Sequence, residues 1–337
     1  MTIVGIVVNP NAGKDIRRLV SSATHVSDVT KVGIVRRAMV AAVESGATRI
    51  LLAPDRHRLA ERAADGLNLP VEIVDEPVTG TRHDSIGAAR RFWKEGAAAV
   101  IALGGDGTSR DIALGWPDAP LIPISTGTNN VFPFTVDGTS AGAAAGLLAS
   151  GAVAPDEVVR RSKRVSVNVV DEDASDHASP DDVAVVELAV VDTRFVGARA
   201  VRDAASIRAV VAAVATPAST GLSSIAGRVH PVDRWEPGGV LVRLGRGGRR
   251  VRVPLAPGDF TTLEVAEVRP LAEGEVVEFD GPGVLAFDGE RDRPLSSSAR
   301  VSASVDRSGP LLIDVERVLV LAARGKMFDR PEDRDGH

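Results

Sequence analysis

Residues 97–108 read AAAVIALGGDGT, an apolar run that ends in three glycines around a single aspartate. An apolar run of this length, followed directly by glycine, predicts a buried strand that turns into a helix. The glycines would let backbone N–H groups approach an oxyanion closely, and the start of a helix favours negative charge. Asp106 has no packing role in such a turn, so it is a candidate general base or magnesium ligand. The stretch therefore predicts an enzyme that handles phosphate.

The composition is that of an ordinary globular protein of about two domains. The chain has 337 residues, of which 44% are hydrophobic and 25% charged, with a net charge of −5. The absence of cysteine excludes disulfides and thiolate metal sites. The charge balance indicates neither a nucleic-acid nor a membrane partner, and no apolar run approaches the roughly 18 residues that span a bilayer. Because no basic segment precedes an apolar one at the start, we expect a cytoplasmic location.

The first 155 residues alternate between β-branched runs and segments with apolar residues at helical spacing. This alternation predicts an α/β domain over residues 1–155, with a parallel sheet covered by helices on both faces. The predicted strands are residues 3–8, 49–53, 71–74, 98–103 and 120–124. The predicted helices are residues 31–44, 56–65, 83–94, 109–114 and 140–149.

The pattern changes near residue 155 to short valine-rich runs separated by glycine, proline or aspartate. It predicts an all-β, sandwich-like domain over residues 156–325, followed by a charged tail at 326–337. Within this domain, Gly245-Arg246-Gly247-Gly248 predicts a hairpin turn, and residues 201–213 predict one helix. The predicted strands are residues 164–170, 183–191, 240–244, 249–253, 263–268, 276–279, 284–287, 301–305 and 311–315.

Three small polar loops follow the first, fourth and fifth predicted strands. They are residues 9–13 (NPNAG), 104–108 (GGDGT) and 125–130 (STGTNN). Loops at the carboxyl ends of neighbouring parallel strands can line one crevice, so the three together indicate a shared phosphate site. No Gly-x-x-x-x-Gly-Lys motif occurs, which argues against a P-loop NTPase. No Gly-x-Gly-x-x-Gly follows the first strand, which argues against a hydride-transferring dinucleotide enzyme.

The order and spacing of these motifs resemble the superfamily that joins NAD kinases with diacylglycerol-type lipid kinases. Two later stretches fit the same pattern: residues 216–227 (TPASTGLSSIAG), with His230-Pro231 after them, and residues 288–290 (DGE). The resemblance runs across most of the chain and is strongest to the bacterial ATP-NAD kinase-like group, which includes proteins linked to acetoin catabolism. It implies an NAD kinase-like fold, with an α/β domain, a β-sandwich domain and the active site between them.

The resemblance also implies roles for individual residues, with ATP and Mg²⁺ as cofactors. Asp106 and Asp288 would be the catalytic carboxylates, and Asp106 would also be the magnesium ligand. The residues implied to bind the nucleotide and its phosphates are Asn9, Gly104, Gly105, Gly107, Thr108, Thr128 and Asn129. The residues implied to bind the acceptor are Glu187, Thr216, Ser219 and Thr220.

Two departures from the NAD kinase pattern leave the acceptor open. NAD kinases usually hold the dinucleotide with an Asn-Glu or Asn-Asp pair, and the corresponding place here reads Val186-Glu187. Residues 126–132 (TGTNNVF) are closer to lipid kinases than to the Gly-x-Leu-Gly-Phe element of NAD kinases. NAD or a related small molecule is the leading acceptor, with ATP or polyphosphate as donor. A diacylglycerol-type lipid kinase and a catalytically silent nucleotide-binding regulator are the alternatives, and the resemblance favours a homodimer or higher oligomer.

Overall fold

The first part of the chain alternates strands and helices, as predicted. The residues that the computed structural model describes are 1–13, 26–127, 129–171, 182–192 and 204–329, without the side chains of Arg291 and Asp292. The strands are β1 (Ile3–Val8), β2 (Arg49–Leu52), β3 (Val71–Ile73), β4 (Ala99–Gly104) and β5 (Pro120–Ser125). The helices are α1 (Asp28–Glu44), α2 (Leu59–Ala64), α3 (Arg82–Lys94), α4 (Asp106–Gly115) and α5 (Gly138–Ala149). The strands pair in parallel in the order β3-β2-β1-β4-β5, which confirms the predicted parallel sheet.

The second part of the chain is rich in antiparallel strands. Its elements are α6 (Pro155–Val158), β6 (Val159–Arg161), β7 (Arg164–Val170), β8 (Asp182–Ala184), β9 (Glu187–Val191), β10 (Ile207–Ala212), α7 (Leu222–Gly227), β11 (Gly239–Ala256), β12 (Asp259–Leu271), β13 (Val276–Asp280), β14 (Gly283–Phe287), β15 (Glu290–Leu295), β16 (Arg300–Asp306), β17 (Leu311–Ile313) and α8 (Val315–Arg324). One antiparallel sheet has the order β12-β11-β10-β9-β14-β15, and another has the order β13-β16-β7-β8. Their facing side chains, including Val167, Leu188 and Val301, share one apolar core, so the two sheets form the predicted sandwich.

The predicted helix over residues 201–213 is wrong, because strand β10 lies there after a short 3-10 turn at Ala204–Ser206. β10 lies between β9 and β11 in the middle of its sheet, and nearly all of its residues are buried. An apolar run buried on both faces shows no alternation, so periodicity alone cannot separate it from a helix. Residues 201–203 of this prediction lie outside the described residues.

The predicted hairpin turn at residues 245–248 is also wrong. Strand β11 continues through these residues, and Leu244 and Arg249 both face Val265 of β12. The four residues therefore form a bulge, which Gly247 accommodates with a φ of +79°. The connection between β11 and β12 comes instead at Pro257-Gly258.

The end of the chain returns to the parallel sheet. β17 pairs in parallel with β5 and antiparallel with β6, so the full order is β3-β2-β1-β4-β5-β17-β6. Val318 and Ala322 of α8 join the apolar core that α1 and α5 form on one face of this sheet. The division at residue 155 stays a prediction, and we propose that residues 311–324 belong with the first domain. Among the described residues, no helix is both long enough and apolar enough to cross a membrane.

Helices α1 and α5 pack with their backbones in close contact. Gly138, Gly142 and Gly146 lie on one face of α5, and each meets a backbone carbonyl oxygen of α1. A Cβ atom at Gly142 would lie well inside van der Waals contact with the carbonyl oxygen of Ala38. The three glycines therefore fix the distance between two helices that cover the same face of the sheet.

We expect Gly142→Val to lower the free energy of unfolding by about 3 kcal/mol or more, because backbone must move to admit the side chain. Urea unfolding measures the change. Gly33→Ala on α1 is the matched control, since its Cβ would meet only Arg37 Nη1, at 3.5 Å. That control should stabilise the protein by about 0.5–1 kcal/mol. Equal unfolding midpoints for Gly142→Val and the parent would show that the α1–α5 contact does not require glycine.

Candidate active site

A cleft of about 440 Å³ lies where loops from the parallel sheet meet the β-sandwich. Its walls include the segments that follow β1, β2, β4 and β5, which is the carboxyl edge where such sheets bind ligands. The facing wall includes residues 220–222 and 288–290. The structure thus brings the three predicted loops together. The predicted site residues that line the cleft are Asn9, Gly105, Asp106, Gly107, Thr108, Asn129, Glu187, Thr220 and Asp288.

The other predicted residues do not line the cleft, and Thr128 lies outside the described residues. Gly104 ends β4, and glycine is needed there because a Cβ would collide with the side chain of Thr108 in the first turn of α4. Thr216 and Ser219 lie in one turn, where the Ser219 hydroxyl donates to the Thr216 carbonyl at 2.7 Å. The roles of all these residues toward nucleotide and acceptor stay predictions.

Asp106 is the first residue of α4, and its carboxylate is bound by the loop that follows β5. The backbone N–H of Phe132 donates to Oδ1 at 2.8 Å, and that of Val131 donates to the same oxygen at 3.0 Å. The side chain is buried, with 7% of the residue exposed. β4 and β5 are neighbours in the sheet, so the two loops meet directly at the ends of their strands.

Asp288 lies opposite, in the turn between β14 and β15, with a φ of +50°. The N–H of Val186 donates to its Oδ1 at 2.8 Å, and the N–H of Val185 donates to its Oδ2 at 3.3 Å. Its own N–H donates to the Glu187 carbonyl at 2.9 Å. Val186 therefore supports Asp288 through its backbone.

Both aspartates are buried, and burial raises the pKa of each. For Asp106, burial and the nearby charge of Asp288 raise the pKa while the N–H bonds of Phe132 and Val131 and the charge of Arg234 lower it, and the net value is about 7. Burial also raises the pKa of Asp288, and this rise is opposed chiefly by Arg110. An aspartate that titrates near neutral pH in a cleft is the usual mark of an acid–base site.

Arg110 and Asp111 also line the cleft, and neither was predicted. Arg110 Nη1 donates to the Phe287 carbonyl at 3.1 Å and lies 3.8 Å from Asp288 Oδ2. Burial raises the pKa of Asp111 while Arg110 and Arg82 lower it, and the net value is about 6. Both residues lie about one helical turn after Asp106, so helical spacing from that aspartate could have identified them.

The start of α3 is a further part of the cleft wall that was not predicted. Thr81 caps this helix, and its hydroxyl accepts from the N–H of His83 at 3.3 Å. Arg82 Nε lies 3.3 Å from Asp111 Oδ1, which connects α3 to α4. The Thr-Gly-Thr sequence before a helical segment was the available signal.

Lys31 holds the first loop in place and was also not predicted. The residue is fully buried, and its Nζ donates to the carbonyls of Asn9 and Pro10 at 3.0 Å and of Ala12 at 2.8 Å. Asn9 Nδ2 donates to Thr108 Oγ1 at 2.9 Å. The first loop is thereby fixed to α1 on one side and to the loop of Asp106 on the other.

The residues present fit a magnesium ion bound together with a nucleotide. Among the described residues, no three histidine or acidic side chains are grouped so that they could hold a metal alone. Mg²⁺ in phosphotransfer sites usually takes only one or two protein carboxylates, together with phosphate oxygens. Asp106 and Asp288 have this chemistry, because both are buried carboxylates that line the same cleft. Asp106 stays the predicted ligand.

Sequence and structure comparisons agree with this architecture. The ATP-NAD kinase N-terminal domain profile matches residues 4–147, and the acetoin catabolism protein X C-terminal domain profile matches residues 163–308. The fold is similar to that of yeast NADH kinase complexed with NADH, with a TM-score of 0.55 and 12% identity, over 100% of this chain and 90% of that chain. A diacylglycerol kinase structure from Bacillus anthracis gives a TM-score of 0.46 at 14% identity, over 93% and 97% of the two chains.

The chain has an NAD kinase-like fold. Acetoin catabolism protein X of Cupriavidus necator is 34% identical to this chain over 335 residues, which cover 96% of this chain and 92% of that protein. The chain belongs to the acetoin catabolism protein X family.

The burial of Asp106 makes stability depend on pH. Its pKa rises from 3.8 to about 7, so the folded state binds this proton more tightly than the unfolded chain. The tighter binding of this proton adds to the free energy of unfolding. The added amount is fully present below about pH 4 and is lost as the pH rises to about 7. Because asparagine stays neutral, we expect Asp106→Asn to raise the free energy of unfolding at pH 8 by up to about 4 kcal/mol, and by little at pH 4. Urea unfolding at both pH values measures this.

Asp137 provides a control for which the expected change in stability at pH 8 has the opposite sign. It caps α5, and hydrogen bonds from Thr139 lower its pKa. Its contribution is therefore present above the ordinary pKa of aspartate and lost as the pH falls. Asp137→Asn should lower stability at pH 8 rather than raise it. If Asp106→Asn changed the free energy of unfolding by the same amount at pH 4 and at pH 8, the raised pKa of Asp106 would be contradicted.

Proposed function

We propose that the protein is a Mg²⁺-dependent phosphotransferase that moves a phosphoryl group from ATP, or from polyphosphate, to a hydroxyl of NAD or a related small molecule. The observation that carries this proposal is Asp106, a carboxylate buried at the start of a helix in the cleft, with a pKa raised to about 7. NAD is the leading acceptor because the profile that matches residues 4–147 is that of ATP-NAD kinases. Family and fold both support a kinase.

Asp106 would act as the general base toward the acceptor hydroxyl. A pKa near 7 leaves much of the carboxylate ionised at neutral pH and makes it a stronger base than an ordinary aspartate. In the proposed step, the hydroxyl proton passes to Asp106 and the hydroxyl oxygen bonds to the γ-phosphorus. The bond from that phosphorus to the bridging oxygen breaks, and ADP leaves. The N–H groups of Val131 and Phe132 support this role by fixing the carboxylate in one orientation.

The donor phosphates would lie against the loops that follow β1 and β4. Asn9, Gly105, Gly107 and Thr108 line this side of the cleft, and the positive end of the ten-residue helix α4 favours anionic groups there. When bound, Mg²⁺ would neutralise charge that develops on the transferred group. Asn129 extends the same wall, from the loop that follows β5.

The acceptor would lie against the wall that the β-sandwich supplies. Glu187 and Thr220 line it, and Asp288 stands beside them. Arg110 and the backbone N–H of Val186 hold Asp288 close to the reacting groups. A cleft of about 440 Å³ is within the usual size range of small-molecule sites.

The homo-oligomeric state and the cytoplasmic location stay predictions. Sedimentation measures the oligomeric state.

An acceptor panel tests the function directly. The protein is incubated with γ-labelled ATP, Mg²⁺ and separate acceptors that include NAD, NADH and diacylglycerol in detergent. We expect label on NAD or a related soluble nucleotide. Label on diacylglycerol would support the lipid-kinase alternative, which residues 126–132 favour. ATP binding without transfer to any acceptor would support the silent-regulator alternative.

Asp106→Asn should lower turnover by at least about 10²-fold, because the variant cannot accept the hydroxyl proton. In the parent, turnover should rise with pH through about 7, as Asp106 loses its proton. Initial rates between pH 5.5 and 9 measure both effects. The cap variant Asp137→Asn should retain the turnover of the parent. Parent-like turnover in Asp106→Asn would remove this aspartate from the mechanism.

A further inference from the structure

Arg234 reaches from the loop between α7 and β11 to the segment that binds Asp106. Its Nη2 donates to the Val131 carbonyl at 2.8 Å, and its Nη1 donates to the Phe132 carbonyl at 3.0 Å. The Val131 carbonyl and the Phe132 N–H belong to one peptide group, and that N–H donates to Asp106 Oδ1 at 2.8 Å. One peptide group therefore connects the guanidinium of Arg234 to the carboxylate of Asp106. Hydrogen bonds in such a chain polarise and strengthen one another.

The guanidinium has little freedom to move. It lies over two aromatic rings of the same segment, 4.7 Å from the ring centre of Phe134 and 5.7 Å from that of Phe132. Burial lowers the pKa of Arg234, but an arginine stays charged in proteins. Its planar fork thus contacts two carbonyls and two ring faces at once, which a lysine at this position could not reproduce.

The loop that carries Arg234 is held by other cations. Lys163 Nζ donates to the Gly238 carbonyl at 2.8 Å, and Arg307 Nη2 donates to the Trp235 carbonyl at 3.2 Å. Arg160 lies 4.1 Å from the ring centre of Trp235. These contacts come from the ends of β6, β7 and β16, away from the Asp106 loop. We therefore expect the loop to keep its place when the side chain of Arg234 is changed.

We infer that Arg234 is a positioning residue for Asp106: it fixes the peptide group between Val131 and Phe132 so that its N–H meets the carboxylate. The inference rests on the proposed role of Asp106 as the base. Arg234 thus sets the orientation of the carboxylate through this one peptide group.

The test is ¹H–¹⁵N NMR of the Val131 and Phe132 amides in the full chain, together with steady-state kinetics. Arg234→Met removes both hydrogen bonds to this segment, so the amide protons that donate to Asp106 should shift upfield as those bonds lengthen. Its kcat should fall about 10- to 100-fold with little change in KM, because Arg234 acts through Asp106 rather than on substrate. Arg234→Lys keeps the charge but loses the planar fork, so its amide shifts should also move and its kcat should fall.

Arg243→Met is the matched control. Arg243 also lies over a ring, 5.0 Å from the centre of Phe279, but belongs to β11 and does not line the cleft. It should leave the two amide shifts and kcat unchanged. Parent values of the amide shifts and of kcat in Arg234→Met would overturn the inference.

The two proposals fail in different ways. If the parent phosphorylates no acceptor, the proposed function fails, while the amide shifts of Val131 and Phe132 still report on Arg234. If Arg234→Met does not fold, Arg234→Lys decides: a loss of kcat at unchanged KM supports the inference, and an unchanged kcat contradicts it.

Discussion

The hydrogen bonds from Val131 and Phe132 to Asp106 are the interaction on which the site depends. A buried carboxylate without partners would cost several kcal/mol, and these N–H groups replace the water it has lost. They can do so because β4 and β5 are adjacent and parallel, so the loops that follow them end side by side. The sheet order therefore fixes the position of the carboxylate before any substrate is considered.

The two halves of the molecule support each other's aspartate in the same way. Arg234, from the β-sandwich side, donates to the carbonyls beside the N–H groups that bind Asp106. Arg110, from α4, donates to the carbonyl of Phe287, the residue before Asp288. Each arginine thus holds backbone of the opposite half that adjoins or binds an aspartate. The contacts keep both carboxylates buried, and burial is the main cause of their raised pKa values.

The sequence predicted the parts of the site that are formed by residues close together in the chain. Glycines around Asp106 at the end of an apolar run, repeated by small polar loops after two other strands, were enough to predict one crevice. Lys31 and Arg234 could not be found in this way, because their partners lie far away in the chain and neither stands in a motif. The errors at β10 and at residues 245–248 have a similar cause. Whether an apolar run forms a central strand depends on the strands that pair with it, and those strands come from other parts of the sequence. The same is true of whether a glycine-rich run forms a bulge.

The return of β17 to the parallel sheet places both connections between sheet and sandwich side by side. Among the described residues, the chain passes between them after β6 and again before β17, and these two strands pair with each other. The two passages are also bonded directly: the N–H of Ser162 donates to the Pro310 carbonyl at 3.0 Å, and the N–H of Gly309 donates to the Ser162 carbonyl at 3.1 Å. The covalent connections between the two halves therefore lie at one place, whereas the contacts of Arg110 and Arg234 that join the cleft walls are noncovalent.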